Sequence, residues 1–293
     1  FKDLRGSALK KDPYYAYIER ADLSEQQINF DLFNEIRSEA VSNLLNINRN
    51  KIGFYRHEDC HKMYGLHSCP QTLDEALVLT VEGGGDDSSA TYSEYKSGVL
   101  TEKWSSNLVN LGRLYRYVTL ILGMKPAQHE YKVMGLAPYG KPDKYYDKLR
   151  STISTPGFKI NQKFFTWEYS EKIMFNSKFA KLLGIPPRLP GEDFTQEHKD
   201  LAAATQAVYE YYFLNFVQKM QHIGKSDNLC IGGGCAYNGV ANYKAYKHYK
   251  NVFIPFAPSD AGSSIGACLY NYKGPRRDNS SPYLGNMYSE DLY

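Results

Sequence analysis

Net charge is nearly absent from this chain. Its 293 residues carry 35 Lys and Arg against 32 Asp and Glu, a formal +3, and the two signs are mixed along its length. That balance gives no argument for nucleic acid or a membrane surface as the main partner. Long apolar runs are also missing: none reaches the roughly 18 residues that read as a bilayer span. The opening Phe1-Lys2-Asp3-Leu4-Arg5 has neither an initiating Met nor the charged-then-apolar layout of a secretion signal. It reads as an internal start, so the chain is expected to be a fragment. Cysteine is sparse. Cys60, Cys69, Cys230, Cys235 and Cys268 are odd in number and follow no CxxC spacing, and Cys230 and Cys268 sit in apolar or small-residue settings that suit buried, reduced thiols. A cytoplasmic location is therefore expected. Two nucleotide signatures are absent as well, GxxxxGK[ST] and GxGxxG. Trp is scarce at 2 residues, while Tyr is abundant at 26, an excess with no functional reading from sequence.

What is present reads as α/β. Asp31–Leu45 has helical spacing, and Lys51–Arg56 is a short β candidate. Ala76–Val81 is apolar enough for a strand buried on both faces, and it ends at Gly83-Gly84-Gly85. Thr91–Tyr95 and Val99–Trp104 read as strands around a Lys96-Ser97-Gly98 turn, and Leu108–Leu122 as a helix closed by Gly123. Ser151–Pro190 is irregular, like an insertion or cap. A long helix is expected over about His198–His222, followed by strands at Asn228–Ile231 and Asn251–Pro255. Repeated strand, turn and helix argues for ligands at the strand carboxyl ends.

Three glycine-containing turns follow buried strands. The first is Glu82-Gly83-Gly84-Gly85-Asp86. The second, Gly232-Gly233-Gly234-Cys235-Ala236-Tyr237-Asn238, leads from a strand into a helix, a geometry that suits a phosphate. The third, around Ser259-Asp260-Ala261-Gly262, places Asp260 at a position that suits either a helix N-cap or a ligand. Any one such turn is more often a tight connection; three together favour a nucleotide. His57-Glu58-Asp59-Cys60-His61 spaces two imidazoles four apart, so a helix there would turn both to one metal ion. Two surface histidines would look identical. The HExxH protease motif needs apolar residues where Asp59 and Cys60 stand, so that reading ranks low.

Glu130-Tyr131-Lys132-Val133-Met134-Gly135-Leu136-Ala137-Pro138-Tyr139-Gly140 strongly resembles the EgKvMGLApYG motif of the nodulation- and tobramycin-type O-carbamoyltransferases. Other segments are similar in the same order. His57 and His61 match the outer histidines of HHxxHA, with Glu58 for the middle His and Lys62 for the Ala. Leu77–Gly85 resembles "vltvDGxG", with Glu82 for the Asp. Leu111–Tyr115 resembles "lGxlY", Asp200–Gln206 resembles "dlAasvQ", and Cys230–Asn238 resembles "laGGvalN". Pro258–Ala267 and Pro282–Gly285 are similar to "pgDaGxaiGA" and "PxLGp".

The resemblance covers about Ile52–Gly285. It implies an actin/Hsp70-like (ribonuclease H-like) Kae1-type core over residues 51–285, with an irregular insertion at about 151–195. Residues 1–50 are then the remainder of a first subdomain, and 286–293 a linker toward a YrdC-like domain in the same or another chain. It further implies a metal, Fe2+ first and Zn2+ or Mn2+ as alternatives, held by His57, His61 and Asp260. The ligand would be carbamoyl adenylate, made from ATP and carbamoyl phosphate, with Gly84, Gly85, Gly232, Gly233, Gly234, Asn238 and Gly262 around it. The carbamoyl group would pass to the hydroxyl of a small acceptor, with Glu82 or Asp86 to take its proton and Lys132 to neutralise ligand charge. A homodimer is compatible with these expectations, and no membrane partner is expected. Two other functions stay open, a tRNA threonylcarbamoyl-transfer subunit and a non-enzymatic nucleotide-binding scaffold.

Overall fold

The computed structural model describes residues 30–70, 73–154, 159–164, 168–169, 174–175, 177–272 and 274. The polar stretch 1–28, the Pro282–Gly285 segment and the 286–293 linker lie outside the described residues. The chain divides into two compact units, Phe1–Tyr55 and Arg56–Tyr293. In the first, α1 (Phe30–Leu45) is followed by a single 3-10 turn, Arg49–Lys51.

The Lys51–Arg56 segment is not a strand. Its residues from Ile52 to Arg56 pair with no sheet, and the extended Arg56 instead serves as the N-cap of α2 (His57–Leu66). Local β propensity is cheap to satisfy with extended backbone, and without a neighbouring strand it builds no ladder.

The second unit is a mixed α/β layer structure. β1 (Glu75–Val81) reads EALVLTV and is buried at every position but its first, as a central strand must be. β2 (Ala90–Lys96) and β3 (Val99–Ser106) return antiparallel through the Ser97-Gly98 turn, where both residues have positive φ. β8 (Asn228–Gly232) and β9 (Asn251–Phe253) add on the other side of β1 in parallel, giving the order β3-β2-β1-β8-β9. Thr80 and Thr91 Oγ1 atoms share a hydrogen bond of 2.7 Å across the β1–β2 pair. β3 is polar and largely exposed, as suits an edge strand.

α3 (Leu111–Ile121), α4 (Glu130–Leu136) and α5 (Asp143–Arg150) pack against the 28-residue α7 (Gln196–Ile223). Thr195 opens α7 with a reciprocal capping box, its side chain accepting from the His198 N–H while His198 returns to the Thr195 N–H. Between α5 and α7 lie two short hairpins, β4–β5 (Ile153–Ser154 with Lys159–Ile160) and β6–β7 (Glu168–Tyr169 with Met174–Phe175), then α6 (Ser177–Leu183). The irregular segment thus contains small elements of its own.

Many tyrosines are core residues. Tyr92, Tyr145, Tyr209, Tyr212 and Tyr249 are fully buried. The hydroxyls of Tyr209, Tyr212 and Tyr249 donate to the carbonyls of Cys235, Ile153 and Val217, each at 3.3 Å. A buried ring whose hydroxyl finds an acceptor adds apolar area at no unpaired polar cost. No described helix is long and apolar enough to cross a membrane. No disulfide joins the five cysteines; Cys230 is buried as expected, but Cys268 is exposed on α9 (Ser263–Tyr270), where only Gly266 is buried.

Candidate metal centre beside two glycine turns

α2 begins without a cap from its own N-cap side chain. Asp86, in the loop after β1, supplies one from a distance: its Oδ2 accepts the His57 N–H at 2.9 Å. The next residue, Glu58, is 2% exposed and points into the same loop. Its Oε1 accepts the Asp87 N–H at 2.8 Å, the Ser88 N–H at 2.6 Å and the Ser88 hydroxyl at 3.2 Å. Burial works to raise the Glu58 carboxyl, but backbone donors, those of Ser88 and Asp87 among them, outweigh it and hold the pKa below its ordinary value. Glu58 is therefore the peg that ties the glycine loop to α2. The Lys62 amine, also buried, is neutralised by Asp59 at 2.7 Å and by Glu102. Neither substitution relative to HHxxHA enters the histidine face of the helix.

On that face His57 and His61 converge. Their Nε2 atoms are 3.0 Å apart. Glu82, just past the end of β1, brings Oε2 to 2.9 Å from His57 Nε2 and Oε1 to 2.7 Å from His61 Nε2. Asp260 Oδ1 lies 3.4 and 3.5 Å from the same two nitrogens. One ligand atom from each of the four residues lies within 4.8 Å of all the others. Donors about 2.0–2.2 Å from a tetrahedral ion stand roughly 3.4 Å from one another, close to these spacings. Two imidazoles aimed at one point with two carboxylates are a donor set for a borderline divalent cation such as Fe2+, Zn2+ or Mn2+. One usual support is missing: among the described residues His61 Nδ1 is buried without a hydrogen-bond partner.

The electrostatics of the four groups are coupled. Burial alone would lower the His61 pKa, but the hydrogen bonds it donates to Asp260 and Glu82 raise it to about 9. Burial likewise works to raise Glu82, and the bonds to His57 and His61 win, taking it to about 2. The bond to Glu82 raises His57, and that to His61 lowers Asp260. Exposure is uneven: the side chain of His61 is 0% exposed and that of Glu82 10%, while that of Asp260 is 77%.

The glycine turns frame this cluster. The Gly234 N–H donates to Glu82 Oε1 at 2.9 Å and the Gly233 N–H to the Pro258 carbonyl at 2.8 Å. Gly233 has φ +88°, and a Cβ on it would stand 2.6 Å from the Val81 carbonyl, so no other residue fits this crossing. The turn is a 3-10 element, Gly234–Tyr237, before the short α8 (Gly239–Lys244). Asn238 caps α8, accepting from the Ala241 N–H at 3.1 Å, and pairs with Gln206. Gly232 lies against the His61 carbonyl, Gly262 against the Tyr64 ring, and Gly85 against Ser88 and Glu58; Gly84 is exposed. Asp260 is not a helix cap; its side chain goes to the imidazoles.

Of the residues singled out from sequence, His57, His61, Asp260 and Glu82 are brought together, with Asp86 on the backbone of the same helix start. Lys132 stands elsewhere, exposed on α4 with its amine 5.9 Å from the Tyr131 ring centre. It lines a separate hollow of about 470 Å³ with Lys125, His129 and Arg188. Glu82, read from sequence as one of two candidate proton acceptors beside Asp86, stands within hydrogen-bond distance of both imidazoles. The available signal was its place directly after a buried strand.

Residues 11–269 match the family model described as carbamoyltransferase N-terminus. An uncharacterised protein of Synechocystis is 35% identical over 222 residues, which cover 74% of this chain and 36% of the relative. Nodulation protein NolNO of Sinorhizobium fredii is 29% identical over 76% of this chain and 32% of its own length. Nodulation protein NolO of Bradyrhizobium diazoefficiens is 29% identical over 67% of this chain and 35% of its own. The chain thus spans about a third of the length of these relatives. The crystal structure of HypF from T. kodakarensis aligns over 79% of this chain and 37% of that one at 11% identity, with a TM-score of 0.38, too loose a superposition to carry an argument.

Proposed function

This chain belongs to the carbamoyltransferase N-terminal family, and from that premise we propose that it is the carbamoyl-transfer core of an O-carbamoyltransferase, of the Kae1-type actin/Hsp70-like architecture. The observation that carries the reading is the convergence of His57, His61, Glu82 and Asp260 on one point between two glycine turns. In this reading the donor is carbamoyl adenylate, made from ATP and carbamoyl phosphate by a YrdC-like domain in the same or another chain. The acceptor is the hydroxyl of a small molecule.

His57, His61 and Asp260, joined by Glu82, would hold the divalent ion, which supplies Lewis acidity toward phosphate oxygens. The chain's own groups divide the rest. Glu82 is buried, bonded to both imidazoles and to the Gly234 amide, and ionised down to about pH 2, which makes it a poor base. Asp86, exposed in the loop after β1 with its Oδ2 on the His57 N–H, would take the acceptor hydroxyl's proton as that oxygen bonds the carbamoyl carbon and the carbamoyl–phosphate bond breaks to release AMP. Gly83–Gly85 and Gly232–Gly234 would let the backbone approach the nucleotide closely.

The test is incubation of the purified chain with synthetic carbamoyl adenylate and a panel of hydroxyl compounds, read by mass spectrometry for a carbamoylated product, with metal content measured beside it. Product that requires His61 and Asp260 supports the proposal. A metal-free, inactive chain that still binds nucleotide would replace it with the scaffold reading.

A further inference from the structure

Helix α3 turns two arginines toward the first glycine loop. Arg113 and Arg116 are three residues apart and so share one face. Arg113 Nε donates to the Gly83 carbonyl at 3.0 Å. Its Nη2 is 3.9 Å from where a Cβ on Gly84 would stand, and Arg116 Nη2 is 3.7 Å from the same point on Gly83. Gly83 directly follows Glu82 of the cluster. The second turn packs on the same loop: a Cβ on Gly233 would stand 2.6 Å from the Val81 carbonyl and 2.9 Å from Glu82 Cγ, and α3 touches the Gly234–Tyr237 element. The pair therefore stands where the two glycine turns face each other.

Both arginines are partly buried. Among the described residues neither meets a carboxylate, although ion pairs are frequent elsewhere in this unit. Two adjacent, partly desolvated cations without a counter-ion repel each other and favour an incoming anion. The nearby amides offer less: those of Asp87 and Ser88 are taken by Glu58, that of Gly233 by Pro258 and that of Gly234 by Glu82. A guanidinium fork matches the oxygens of a phosphoryl group two at a time.

We propose that Arg113 and Arg116 form an anion subsite that grips a phosphoryl group of the ligand held at the metal cluster. Arg116 supplies the free fork, and Arg113 fixes the Gly83 carbonyl while lending its charge. The proposal rests on the function proposed above and adds to it the groups that recognise the phosphate.

Titration calorimetry of the metal-loaded chain tests it, with AMP, adenosine and inorganic phosphate as probes and with Arg116→Gln, Arg116→Lys and Arg113→Gln as variants. Metal content and thermal melts are measured on every sample. Arg116→Gln is expected to keep its metal and its melt while weakening AMP about tenfold or more, with adenosine unchanged and Arg116→Lys in between. Inorganic phosphate that binds as tightly as AMP, and equally needs Arg116, identifies free phosphate rather than the nucleotide as the source of the anion. AMP affinity within twofold of wild type in metal-replete Arg116→Gln overturns the subsite and leaves the carbamoyltransferase reading intact. A wild-type chain that takes up neither metal nor AMP overturns both. Arginine-dependent AMP binding without carbamoyl transfer keeps the subsite and removes the transfer reading.

Discussion

At the scale of single residues, the cluster makes opposite demands on protons and metal. In the metal-free chain His61 has its pKa raised from 6.5 to about 9, so its contribution to stability is whole below pH 6.5 and is lost as the pH climbs through about 9. Glu82 has its pKa lowered from 4.5 to about 2, so its contribution is whole above pH 4.5 and is lost as the pH falls through about 2. Metal uptake at the proposed site would have to displace the His61 proton. Affinity is therefore expected to rise with pH toward 9, by about tenfold per unit for each displaced proton, in chelator competition at pH 7 and 8. A flat profile would refute the assignment. His61→Ala and Asp260→Ala are each expected to lose most bound metal, measured by elemental analysis. Glu58 belongs to a different problem. Replacing it with Ala strips three donors of a buried acceptor and is expected to cost about 2–4 kcal/mol in urea unfolding. Because its folded pKa is depressed, that stability is present above pH 4.5 and fades as the pH falls below it. The histidine pair and Asp260 were legible because their spacing and strand-end position are local patterns. Glu58 was not, since its partners lie 29 and 30 positions away in sequence, and no pattern in residues 57–61 distinguishes a peg from a ligand.

At the scale of elements, the site depends on how closely α2 is pressed onto its neighbours. A Cβ on Gly266 of α9 would stand 1.9 Å from the Cys60 carbonyl, so the two helices touch through backbone at that point. Gly266→Ala must push them apart, and a loss of about 2–3 kcal/mol together with weakened metal retention is expected from paired melts and metal analysis. Thr195→Ala removes one half of the α7 capping box and is expected to cost about 1 kcal/mol, with the cluster untouched. The buried strand β1 and the long α7 were readable because their periodicity agrees with their burial. The Lys51–Arg56 segment misled for the complementary reason: its residues suit extended backbone, and pairing is a property of the neighbour. The mixed sheet was not readable either, because β1 pairs in parallel with β8 across some 150 residues of chain and nothing in either strand names the other.

At the scale of the whole molecule, the four candidate ligand atoms come from three separate parts of the Arg56–Tyr293 unit: the α2 helix, the end of β1 and the turn after β9. A cation held by all three is bound by the folded unit and not by the open chain. Loading at a hundredfold excess over Kd is expected to stabilise that unit by about 2.7 kcal/mol, and a melting temperature indifferent to metal would argue against a shared site. Family membership and the three-part geometry together carry the functional reading further than either glycine turn does alone.

Asp260 is the most exposed of the four groups and sits on a turn, while the other three are held by a helix and a strand end. That asymmetry gives the site a door. Exchange would run by the aspartate swinging outward while two imidazoles and one carboxylate keep the ion in place, so a chelator works from the solvent side against a three-point hold. Stripping should then be a first-order process, faster in Asp260→Asn than in the wild-type chain. The same opening would let a ligand oxygen take the vacated position without the ion ever leaving the protein.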